Sequence, residues 1–88
     1  MREIINEKVS VSLIFNARSR RAMPRIIAWQ NQRFRVDKIG FHHTVWRGRV
    51  LHHVFELVDQ DETIWMRLDF NTENLHWTLE VISDGLAD

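Results

Sequence analysis

The 88-residue chain contains no cysteine, and this excludes a disulfide framework, a thiolate nucleophile and any zinc site built on cysteine, leaving hydrophobic burial to hold the fold. Its three glycines, Gly40, Gly48 and Gly85, are isolated, so no glycine-rich loop cradles a phosphate. A G-x-S-x-G elbow and an H-E-x-x-H pair are missing as well, and the expectation is a protein that is not an enzyme. No apolar run approaches the roughly 18 residues of a membrane-spanning helix. The opening Met1-Arg2-Glu3-Ile4-Ile5 lacks the apolar core of a signal peptide, which gives a cytoplasmic expectation with no membrane partner. Net charge is absent too, at twelve basic against twelve acidic side chains.

What is present is a composition suited to a packed core. Apolar residues make up 44% of the chain, too many for disorder, and the length allows one domain over residues 1–88. The cancelling charges are segregated: residues 1–49 hold eleven Lys/Arg against three acids, and residues 50–88 hold one against nine. Ten of the twelve bases are arginine, whose planar fork suits phosphate and carboxylate better than a lysine point charge does.

Val9, Val11, Leu13 and Phe15 recur every second residue, the period of a strand, over residues 8–15. Residues 16–24, with Arg18, Ser19, Arg20 and Arg21 and the only proline, read as a long basic loop. Two short β-rich runs, 25–29 and 33–39, flank Gln30-Asn31-Gln32, a connector of hairpin length whose loop size stays open.

In the second half, three turns are placed by asking which register gathers apolar residues on one face. A turn at Arg47-Gly48 pairs Val45 with Val50 and His43 with His52. A turn at Gln60-Asp61 pairs Leu57 with Ile64 and Phe55 with Met66, and a loop of residues 71–74 sets Phe70 opposite Leu75 and Leu68 opposite Trp77. Helical apolar spacing is absent. The expected fold is all-β, a six- or seven-strand antiparallel meander forming a small barrel or half-open roll, because a twisted sheet hides its edges that way.

Trp29 followed by Arg33-Phe34-Arg35-Val36, then Val54-Phe55-Glu56-Leu57 and Leu75-His76-Trp77-Thr78-Leu79-Glu80, resembles a family of short uncharacterised bacterial β-domains. The likeness spans residues 24–82. Related segments also occur appended to Y-family polymerase-like proteins, so the resemblance implies a bacterial source and a nucleic-acid context. It carries no catalytic motif.

Trp29, Phe34 and Trp46, interleaved with Arg33, Arg35, Arg47 and Arg49, have the make-up of a single-strand nucleic-acid surface, where bases stack on rings and guanidinium groups meet phosphates. Arg18, Arg20 and Arg21 extend that track. The expected function is therefore a non-catalytic module contacting single-stranded nucleic acid through Arg18, Arg20, Arg21, Arg33, Arg35, Trp46, Arg47 and Arg49. The alternative is a protein-interaction or self-association module, a homodimer for example, that uses the strand at 8–15 as an exposed edge.

The same registers align His43, His52, Asp69 and His76 on the face opposite the core, and His52, Asp69 and His76 have the residue types of a zinc ligand set. A solvent-facing ladder, with Asp69 bonded to its flanking histidines, accounts for the row without a metal, and no cofactor is expected. His42 and His53 fall on the core side as structural imidazoles. Glu56, Trp65 and Glu80 form a further outer row of charges around a tryptophan.

Overall fold

The computed structural model describes residues 2–84, folded as seven antiparallel strands in one sheet with no helix among them. They are β1 (Arg2–Lys8), β2 (Ser10–Asn16), β3 (Arg21–Trp29), β4 (Gln32–Arg47), β5 (Val50–Asp59), β6 (Trp65–Asn71) and β7 (Trp77–Ser83). Their order in the sheet is β1-β7-β6-β5-β4-β3-β2. Each strand from β2 to β6 thus neighbours its successor, while β1 lies at the far edge beside β7.

Only Val9 separates β1 from β2, yet the two occupy opposite edges of the sheet. One residue can join them only because the sheet rolls until its edges nearly meet. The Val9 N–H donates to the Trp77 carbonyl at 3.1 Å, and Trp29 Nε1 donates to Glu7 Oε1 at 3.1 Å, tying β3 to β1. No ladder links β1 to β2, so the sheet is a half-open roll and not a closed barrel.

Inside the roll sit Ile27, Val36, Phe55, Leu57, Met66, Leu68 and Leu79, which form one buried cluster. The expected faces of β5, β6 and β7 are the observed ones, but next to each of the three turns the register is displaced by two residues. Arg47, not Val45, faces Val50; Met66, not Ile64, faces Leu57; and Trp77, not Leu75, faces Phe70. A slip of two leaves every side chain on its own face, so an apolar-face criterion cannot detect it.

The turns decide the register. Gly48 and Arg49 close the first, with φ +63° at Gly48 alone, as a two-residue turn with glycine in its first position requires. In the second, Asp59 accepts from the backbone N–H groups of Thr63 and Ile64 at 2.9 and 3.0 Å, which holds residues 60–64 as a longer loop. In the third, Asn71 Oδ1 accepts from the Glu73 and Asn74 N–H groups while Leu75 takes φ 64°. Short polar side chains capping their own turns, and not glycine or proline, lengthen these loops.

The expected long loop over residues 16–24 is a correction of the same kind. Asn16 Oδ1 accepts from the Arg18 and Ser19 N–H groups, so the turn spans only residues 17–20 and β3 begins at Arg21. Pro24 lies buried within β3, next to the irregularity between Ser12 and Leu13 in its ladder with β2, where a missing N–H is tolerated. Gln30 and Asn31, both at positive φ, set the β3–β4 loop at two residues. β1 shows no apolar alternation and is not among the expected strands, since only Ile5 on it is even half-buried.

Candidate binding site at the mouth of the roll

An antiparallel meander sends alternate turns to opposite ends. Turns 17–20, 48–49 and 72–76 share one end, and turns 30–31 and 60–64 share the other. The first end collects Arg18, Arg20, Arg21, Arg47 and Arg49 with Glu73 as the acid on its turns. The second is cross-tied: Lys38 meets Glu62 at 3.1 Å, Asp59 caps its loop, and the Gln60 N–H donates to the Arg35 carbonyl at 2.8 Å. Among the described residues Arg18, Arg20, Arg21 and Arg49 make no ion pair.

The basic end is also where the roll opens. The β3–β4 ladder holds only four pairs, Ile26–Trp29 against Gln32–Arg35, because β4 then bends through irregularities near Val36 and Ile39 to follow β5. The start of β3 and the middle of β4 therefore diverge and leave a cleft of about 640 Å³. Leu13, Met23, Phe41, Phe70 and Trp77 supply apolar walls, and Arg20, Arg21, His42 and His53 supply the polar groups. None of the described residues lining it is acidic.

His42 and His53 face each other here, with His42 Nε2 2.9 Å from His53 Nδ1, so one ring donates and the other accepts. The His42 ring lies parallel to Phe55 at 4.4 Å between centroids. Loss of water around the ring, then the charges of His53, Arg21 and His43, push the His42 pKa below the ordinary 6.5. His42 is therefore neutral at pH 7, and the pair can act as a hydrogen-bonding edge above an aromatic floor. Both imidazoles do lie on the core-facing side expected of them, but at the open end of it.

The expected arginine track is divided. Arg18, Arg20, Arg21, Trp46, Arg47 and Arg49 share the mouth end, with Trp46 66% exposed. Arg33 and Arg35 lie at the other end, because β4 carries them a strand's length from Arg47. Arg47 is partly committed, its Nη2 3.5 Å from Glu80 Oε2, while Arg67 Nε donates to Glu80 Oε1 at 3.0 Å. The Glu80 carboxylate is thus an ion-pair partner. Trp29 and Phe34 pack against the core and offer no stacking platform. Phe41, 53% exposed beside the cleft, carried no signal in sequence, since the bend that presents it comes from the divergence of two ladders.

On the opposite face His52 and Asp69 form a buried pair, with His52 Nδ1 2.8 Å from Asp69 Oδ2. The proposed ligand trio of His52, Asp69 and His76 is not assembled. In the observed register Asn71 stands opposite His52, Asp69 reaches His52 diagonally, and His76 sits exposed in the turn before β7. His43 faces Val54, its Nδ1 buried without a hydrogen-bond partner. No group of three metal-ligating side chains converges among the described residues. No family model matches the chain, and neither a curated protein nor a solved structure matches it.

Proposed function

We propose that this domain is a non-catalytic binding module that takes single-stranded nucleic acid at the mouth of the roll. The observation that carries the reading is the coincidence, at one end, of unpaired Arg18, Arg20, Arg21 and Arg49, the exposed ring of Trp46, and an aromatic cleft without a lining carboxylate. Guanidinium groups spaced around an aromatic surface suit a chain of phosphates bearing unstacked bases, and the lack of a carboxylate in the cleft lining leaves no like charge there to repel a phosphate. The chain as a whole is neutral, so attraction depends on this local field and not on net charge.

The test is fluorescence polarisation of a labelled single-stranded oligonucleotide at two salt concentrations. Affinity should fall as salt rises, because phosphate contacts release counterions. Undetectable binding, or binding indifferent to salt, overturns the reading.

A second reading is association through β2. This strand is an edge of the sheet, and Leu13, Ile14 and Phe15 are consecutive residues exposed by 46, 55 and 64%. Apolar side chains on both faces of an edge strand suit pairing with a further strand. It predicts a mass that doubles with concentration in sedimentation experiments, independently of nucleic acid.

A further inference from the structure

We propose that the cleft between β3 and β4 receives one unstacked base of the bound strand, with the adjoining phosphate on Arg20 and Arg21. The inference rests on the reading of the mouth as a nucleic-acid site and assigns a role to its interior. Four observations carry it.

The cleft, at about 640 Å³, falls within the range of about 300–1,000 Å³ usual for small-molecule sites, whereas a surface that merely tracks a backbone needs no cavity. Its lining is rich in rings packed on one another: His42 is stacked on Phe55, and Phe70 meets Trp77 at 4.6 Å between centroids, which gives the cleft an aromatic surface. A planar heteroaromatic ring is the ligand such a surface fits best. The polar groups then match a base edge. His42 Nε2 and His53 Nδ1 are spent on each other, which leaves each ring a second nitrogen for the donors and acceptors of a base.

Charge completes the match. Arg20 and Arg21 lie on the rim at the turn between β2 and β3, and Arg20 holds φ 59° in that turn, anchored by its N–H to the Asn16 carbonyl at 2.7 Å. An apolar slot with two guanidinium groups at its lip suits a ring linked to an anion, the pairing a nucleotide has. That chemistry is shared by an unpaired residue of a strand and by a free mononucleotide. The further guanidinium groups of Arg18 and Arg49 at the same end give a strand additional phosphate contacts that a mononucleotide cannot reach, and these favour the strand.

The experiment uses the full chain with two labelled strands of equal length and phosphate number, an oligothymidylate and an abasic strand, at one salt concentration. The oligothymidylate should bind at least about tenfold more tightly, the size expected of one stacked base. Ala22→Phe, at an exposed position on the cleft wall, should reduce oligothymidylate affinity to the abasic level and leave abasic affinity unchanged. Phe41→Ala, a truncation of an exposed side chain, gives a second variant that removes a wall without filling the cavity. Equal affinity of the two strands overturns base insertion while the basic mouth stands. Binding of neither strand overturns the mouth reading together with the inference. Thymidine monophosphate displacing the strand at equal concentration makes the cleft a mononucleotide site and overturns the assignment to a strand.

Discussion

The two ends of the roll are built from the same kinds of residue, and one is closed by its loop while the other opens on a cleft. At the end formed by turns 30–31 and 60–64, Lys38 is paired with Glu62 and Asp59 is bonded into its loop. At the mouth, Arg20 and Arg21 line the cleft and, like Arg18 and Arg49 on the turns of the same end, make no ion pair among the described residues. One end draws its loop together with polar side chains, and the other opens on a cleft lined by rings. The lesson is that arginine count does not locate a binding surface. Arg33 and Arg35 belong to the same stretch of sequence as Arg47 and Arg49 and, although they too make no ion pair among the described residues, stand at the other end, away from the cleft.

The contrast can be broken in several ways, beginning with the interior that both ends share. Phe55→Ala removes a ring that is 4% exposed and floors the cleft, and it should cost about 3–5 kcal/mol in denaturant unfolding. A loss below about 1 kcal/mol would mean that the rings beneath the mouth are not packed as core. Next in size is the comparison of the ends by charge reversal. R20E with R21E should weaken oligonucleotide binding more than about tenfold, near 1.4 kcal/mol, while R33E with R35E changes it less than about twofold. Comparable losses from both double variants would dissolve the distinction between the ends.

The smallest effect is a pH dependence confined to the mouth. Because the His42 pKa lies below 6.5 in the folded chain, the unfolded chain binds more protons as pH falls through 6.5. Stability should therefore decline between about pH 7 and 5, with the loss setting in near the unfolded value. His42→Asn should flatten part of that decline in thermal melts. An unchanged slope would mean that the His42 ring is not held neutral by its surroundings. On the opposite end Lys38→Ala should be nearly silent in the same melts, since both partners of its ion pair are exposed and screened by water.

Much of the fold is legible in the chain. Alternation places Phe55, Leu57, Met66, Leu68 and Leu79 inside, and all five are buried. Their registers are not legible from alternation, because shifting a strand by two residues keeps every residue on its face and merely exchanges apolar partners. The turns resolve the ambiguity through Asp59 and Asn71, whose side chains cap loops longer than a glycine signal suggests. The metal trio fails for the same reason, since a displacement of two puts Asn71 where Asp69 was expected.

The sequence by itself determined the fold class, the faces of the strands and the grouping of base and acid into separate halves, because these follow from local periodicity and composition. Only the tertiary structure decided that Val9 carries the chain between opposite edges of a rolled sheet, that β3 and β4 part after four pairs, and that Arg20 and Arg21 meet His42 and His53 across the gap. Those features depend on how twist, irregular pairing and turn length accumulate over seven strands, and no single stretch of the chain contains that sum.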